Sequence, residues 1–224
     1  MIRAIIFDLD NCLSAADEPG KGPLKPVFDA IRRVNNGRLS DETLAEAFSD
    51  CWRHPLDFVA KKHGFTEEML VAGWAVSVRL EVATPMRGYA DLRTLAELPV
   101  LRFLVTSGFR RLQESKIMAL GFERLFTAIY VDAIDEADRK GKQSIFEGIL
   151  NDYRLKPEEV LVVGDNPDSE IEAGNRLGIT TVQVLRAGVP LGNNASHYID
   201  ELAELKGLLR QHLNQPVTES TKNK

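Results

Sequence analysis

Four short runs along the chain are almost continuously apolar and rich in β-branched residues: 4–7 (AIIF), 100–105 (VLRFLV), 128–131 (AIYV) and 160–163 (VLVV). Runs of this length and kind suit strands buried on both faces of a parallel sheet. A weaker fifth run covers 180–185 (TTVQVL). Between them the apolar spacing turns helical, over 89–97, 110–120, 142–153 and 168–177. Two of these segments stop at a glycine, Gly121 and Gly178, as helices often do. Strand and helix in alternation predict an α/β fold with a mostly parallel sheet and helices on both faces.

One stretch breaks the alternation. From Ser14 to Thr84 no strand pattern appears, and four helical patterns take its place. In 24–36, Leu24, Val27, Phe28, Ile31 and Val34 fall on one stripe. The pattern over 41–52 follows Ser40, a good cap residue, although Thr43 fails the strict capping box. The third, 55–63, opens on Pro55 and ends before Gly64. The fourth, 67–82, follows Thr66 and has Glu67 and Glu68 in its first turn. Residues 14–85 are therefore expected to form a helical insert within a discontinuous core of 1–13 and 86–213. The tail 214–224 is polar and is expected to be disordered.

Composition narrows the setting more than the chemistry. With 28 basic and 33 acidic residues the net charge is -5, which gives no footprint for a nucleic acid polymer or an anionic membrane. No apolar run is long enough to span a bilayer. The sequence enters its first strand without a signal-peptide layout, and two cysteines, Cys12 and Cys51, make no disulfide framework. A cytoplasmic setting is expected, with both thiols simply packed.

Polar residues gather where the strands end. The first run finishes in Asp8 and Asp10, the second in Thr106-Ser107-Gly108, and the fourth in Gly164-Asp165. In open parallel sheets ligands sit outside the carboxyl ends of the strands, so these groups should converge. Several carboxylates in one crevice repel each other and call for a cation, and hard oxygen ligands select Mg²⁺.

Four motifs in order give the pattern a family likeness. They are Asp8-Leu9-Asp10 after an apolar strand, Thr106 after another, Lys140 six residues before Phe146, and Gly164-Asp165 followed by Glu170. The sequence resembles the haloacid dehalogenase-like hydrolase superfamily from Ile2 to about Leu185, where most members are phosphatases. The resemblance implies a Rossmann-like three-layer core and identifies 14–85 with the family's helical C1 cap, a lid over the site.

The same resemblance implies a role for each residue. Asp8 would be the nucleophile, forming an aspartyl-phosphate. Asp10 would protonate the leaving alcohol and then activate water, and its backbone carbonyl would ligate the metal. An aspartate at this position favours phosphate chemistry over dehalogenation. Thr106, with backbone N–H of Ser107 or Gly108, would hold the phosphoryl group. Lys140 would balance the charge of Asp8 and the phosphate, with Lys142 as its rival. Asp165 would bind Mg²⁺ with Asp8, and Glu170 would support it, with Asp168 as a rival read better as a helix-dipole residue. One departure from the family pattern is Cys12, where Thr or Val is usual; it can pack as Val does.

In the insert, Trp52 and Trp74 read best as helix-interface residues and Arg53 and Arg79 as surface residues. The four histidines, His54, His63, His197 and His212, have no metal-ligand spacing. The function expected is a Mg²⁺-dependent phosphatase for a small phosphorylated metabolite, acting as a monomer or homodimer. The alternatives are a phosphomutase with the same intermediate and a binding protein without activity.

Overall fold

The computed structural model describes residues 1–213 except Lys21, with side chains described as far as residue 210. The expected polar tail, 214–224, lies outside the described residues. Six strands form one sheet: β1 (Ala4–Phe7), β2 (Leu101–Gly108), β3 (Ala128–Ala133), β4 (Val160–Gly164), β5 (Thr180–Val184) and β6 (His197–Ile199). Every neighbouring pair is parallel, in the order β3-β2-β1-β4-β5-β6. β1 lies at the centre, with Ala4 facing Leu101 on one side and Val160 on the other.

That central position explains the apolar run at the N-terminus. Successive side chains of a strand point to opposite faces. Ile5 and Phe7 join one core with Leu104, Leu161 and Val163, closed by Leu95, Ile117, Leu202 and Leu205. Ala4 and Ile6 join the other with Phe103, Val105 and Val162, closed by Phe146 and Ile149. A strand covered on both faces has no position for a polar residue until it leaves the sheet. Burying side chains such as Phe7, Phe103 and Phe146 contributes about 1.5–3 kcal/mol each.

Helices α1 (Lys25–Asn35), α2 (Asp41–Asp50), α3 (Leu56–His63) and α4 (Glu67–Ser77) follow β1. The Ser40 and Thr66 hydroxyls accept the backbone N–H of Thr43 and Met69, which fixes two of the helix starts. The four helices share an apolar cluster of Val27, Ile31, Leu44, Phe48, Leu56 and Met69, which also takes in Phe109 and Ile134 from the sheet side. Trp74 packs edge-on against Phe109 at 4.9 Å, the interface role expected of it. The two strands of chain that lead into and out of this helical segment are tied together. The Glu18 carboxylate accepts hydrogen bonds from the Ser14 hydroxyl at 2.7 Å and from the backbone N–H of Arg87 and Gly88.

The remaining helices are α5 (Arg110–Leu120), α6 (Gly141–Asp152), α7 (Glu172–Arg176) and α8 (Leu205–Leu213). Three segments differ from the sequence pattern. The expected helix 89–97 is a 3₁₀ segment, Ala90–Glu97. The expected helix 168–177 divides into a π turn, Pro167–Ile171, and the short α7. The third is the C-terminal part, which adds β6, only three residues long, and α8, whose leucines Leu205 and Leu209 are buried.

Candidate active site

The sheet order reverses at β1 and β4, and a crevice opens beyond their carboxyl ends, as topology requires at such a switch point. Asp8 extends the ladder by one bond, its N–H donating to the Val163 carbonyl at 2.9 Å. Leu9 turns back into the core and is fully buried. The chain then reverses in a tight turn in which Asn11 adopts a left-handed φ of 55° and its side-chain oxygen accepts the Ala16 N–H. Two-residue periodicity thus sends Asp8 and Asp10 to the same side, onto a cavity of about 500 Å³ between the sheet edge and the helical segment.

Asp8, Asp165 and Glu170 place carboxylate oxygens within 4.8 Å of one another, and all three residues are buried. Glu170 reaches Asp165 because the π turn carries its side chain back over the end of β4, where the Asn166 N–H donates to it at 2.7 Å. Gly164 makes this possible, since a Cβ there would collide with the Glu170 carboxylate. Asp168, the rival position, is exposed and outside the cluster.

The lysine of the site is Lys142. Its ammonium donates to Asp8 at 2.7 Å and to Glu170 at 2.8 Å, and its side chain is 8% exposed. Lys140, preferred from its spacing to Phe146, is an exposed residue just before α6 and does not reach Asp8. Gly141, with a φ of 80°, redirects the chain between the two. Lys142, Phe146 and Ile149 then lie on one buried stripe of α6, a pattern that distinguishes Lys142 in the sequence.

Crowding shows in the titration of the group. Burial, opposed by Lys142 and reinforced by Glu170, pushes Asp8 from 3.8 up to about 7. Burial, then Glu170 and Asp8, pushes Asp165 well above the usual carboxylate range. Burial works against the Lys142 ammonium, but Asp8 and Glu170 outweigh it and hold the lysine charged. The three carboxylates form a hard-oxygen donor set that fits a divalent cation, whose charge would favour the ionised forms of both aspartates.

Asp10 stands outside this cluster. Its carboxylate turns toward α5, where Lys116 donates to one oxygen at 2.7 Å and Gln113 to the other at 3.0 Å. Of the four expected metal-binding residues, three bring their side chains together; Asp10, expected to ligate through its backbone carbonyl, has its carboxylate outside the cluster. Thr106 is buried at the end of β2 and lines the cavity with Ser107 and Gly108. The Ser107 hydroxyl is committed elsewhere, donating to Asp132 at 2.8 Å. Cys12 is fully buried, and burial raises its thiol well above its ordinary value, consistent with packing.

Several residues of the site carry no motif. Arg53, expected at the surface, is only 20% exposed and brings its guanidinium to 3.6 Å from Asp165. Asn166 donates to the Arg53 carbonyl at 3.4 Å. Arg139 bridges Asp132 of β3 and Asp57 of α3, both at 3.1 Å, joining the sheet to the helical segment. His54 lines the cavity with its ring tilted against Phe58 at 4.5 Å, and burial lowers its pKa. The signal for Gln113 and Lys116 is a polar pair on the buried stripe of α5, beside Ile117.

Comparison with known proteins agrees with this geometry. The family profile described as haloacid dehalogenase-like hydrolase matches residues 2–178. Human N-acylneuraminate-9-phosphatase is 30% identical, covering 93% of this chain and 94% of its own. Glyceraldehyde 3-phosphate phosphatase of Methanopyrus kandleri is 28% identical, covering 83% of this chain and 85% of its own. Among solved structures, a HAD phosphatase from Thermococcus onnurineus has the same fold, with a TM-score of 0.63 at 22% identity, over 93% of this chain and 98% of that one.

Proposed function

Because the chain belongs to the haloacid dehalogenase-like hydrolase family, we propose that it is a Mg²⁺-dependent phosphatase that hydrolyses a small phosphomonoester through an aspartyl-phosphate on Asp8. The observation that carries this reading is the meeting of Asp8, Asp165 and Glu170 within 4.8 Å around the Lys142 ammonium. Two parts of the chain, the ends of β1 and β4, deliver three acids to one point, at a cost in repulsion that a binding surface has no need to bear.

In this reading an oxygen of Asp8 attacks phosphorus while the bond from phosphorus to the ester oxygen breaks. Asp10 gives the departing alcohol its proton. Asp10, now a carboxylate, takes a proton from water, which attacks the phosphorus and frees Asp8 and phosphate. Lys142 offsets the charge on Asp8, and the Thr106 hydroxyl donates to the phosphoryl group as charge builds there. Mg²⁺, held by Asp8, Asp165 and Glu170, supplies charge neutralisation for an attack between two anions. The segment 14–85 acts as a cap that shields the intermediate from bulk water.

The relatives, by their names, act on glyceraldehyde 3-phosphate and on an acylneuraminate 9-phosphate. Both belong in a panel of small phosphomonoesters assayed for phosphate release with Mg²⁺ and with EDTA. Release with Mg²⁺ that EDTA abolishes is the expected result. Release unaffected by EDTA would refute the metal, and no release from any ester would refute the phosphatase.

A further inference from the structure

Asp10 and Asp8 are two residues apart on the same side of the chain, yet only Asp8 enters the acidic cluster. A free carboxylate at Asp10 would be drawn toward the same cations as its three neighbours. Its two oxygens are instead occupied by donors three residues apart on one face of α5, Lys116 at 2.7 Å and Gln113 at 3.0 Å.

Both donors are held unusually well. The Lys116 side chain is 8% exposed, and Asp10 is its one hydrogen-bond partner among the described residues. A buried ammonium is retained only where a specific partner compensates its lost hydration. Gln113 is 4% exposed. Its amide nitrogen donates to Asp10 and, at 2.9 Å, to the Ser107 carbonyl. Two acceptors facing one nitrogen fix the orientation of the amide. The Gln113 carbonyl oxygen is left buried without a partner, so the amide sits where it does for its N–H groups. Gly108 leaves the space, since a Cβ there would collide with the Gln113 side chain.

We propose that Lys116 and Gln113 are positioning residues for Asp10, holding its carboxyl group apart from the acidic cluster and keeping it available to the leaving alcohol. The inference rests on the proposed phosphatase reading. In the step itself Asp10 is protonated on one oxygen, which gives up its donor from α5. As the phosphorus–oxygen bond breaks, that proton passes to the ester oxygen, and the carboxylate left behind regains Lys116 as its counter-charge.

Leaving groups separate this role from general structural support. An alkyl alcohol needs a proton to depart, whereas p-nitrophenolate departs without one. The readout is kcat/KM, which covers the steps up to alcohol departure. Lys116→Met should lower kcat/KM for an alkyl phosphate about 100-fold, the scale of a lost general acid, with only a few-fold loss for p-nitrophenyl phosphate. Lys116→Arg should restore most of the alkyl activity. Gln113→Met should shift the same ratio less, and it carries the test alone if circular dichroism shows Lys116→Met unfolded. Equal losses on both esters, or none, would overturn the positioning role in an active wild-type enzyme. A wild-type chain that cleaves neither ester would overturn the phosphatase reading, and this inference with it.

Discussion

Asp8 and Asp10 are separated by one residue and live in opposite surroundings. Asp8 is buried among two further carboxylates with a single lysine to offset them, and burial pushes it up to about 7. Asp10 is alone with two donors from α5. The difference teaches how one strand end can supply two distinct chemistries. The neighbours a carboxylate receives from remote parts of the chain decide whether it shares a crowded acidic cluster or sits apart, anchored by donors of its own.

The largest test of that contrast is removal of each acid in turn. Asp8→Asn should abolish turnover, on the order of 10⁴-fold or more, as loss of a nucleophile does. Asp10→Asn should lower kcat/KM for alkyl esters by roughly 10²–10⁴-fold, the range of a general acid. Equal effects on aryl and alkyl esters for both variants, measured by phosphate release, would dissolve the distinction.

The next test strips the crowded side of its counter-charge. Lys142→Met leaves Asp8 and Glu170 without their shared ammonium and should cost about 3–5 kcal/mol, the scale of a broken buried pair. Lys140→Ala should stay within about 0.5 kcal/mol, as exposed positions do. Urea unfolding of both variants at neutral pH checks the order, and the reverse order would return the site to Lys140.

The smallest effect is in pH. Asp8 rises from 3.8 to about 7 on folding, so between those values the folded chain keeps a proton that the unfolded chain has released. Without a metal, this group makes stability fall as pH climbs through that window. A cation takes the proton's place, so the rise in Tm on adding Mg²⁺ should be larger at about pH 7.5 than at about pH 5.5. A Mg²⁺ response equal at the two values would show that Asp8 does not exchange a proton for the metal.

Much of the sheet was legible because β1 and β4, buried on both faces, are apolar along their length, while β5, with Thr181 and Gln183 buried and hydrogen-bonded, leaves a weaker run. The run at 4–7 coincides with β1, and the polar residues that end β1, β2 and β4 do meet at one edge. Asp8 and Asp165 were legible for the same reason, since they stand where β1 and β4 leave the sheet, whereas Glu170 was marked only by the family likeness. What escaped was side-chain direction. Spacing to Phe146 favoured Lys140, whereas the turn at Gly141 aims Lys142 inward. Arg53 read as a surface residue because its partner, Asp165, is more than a hundred residues away. Gln113 and Lys116 look like solvent-facing positions until the stripe they share with Ile117 is seen to be buried, because a polar residue on a helix is ordinarily solvated. The π turn that returns Glu170 to the crevice leaves no mark in a pattern read at helical spacing.

The central place of β1 also bears on the order in which the molecule assembles. β1 is the first strand made, yet its partners are Leu101–Leu104 and Val160–Val163. Pairings so distant along the chain are slow to close, and the helices of 25–77 can form before either partner arrives. Asp165 and Glu170 come with the last of these partners. The acidic cluster can form only once β1 has paired with β4, so a cation that binds it would meet only chains in which that pairing is made. Its concentration then sets, by mass action, how far the folding equilibrium is drawn to the finished core.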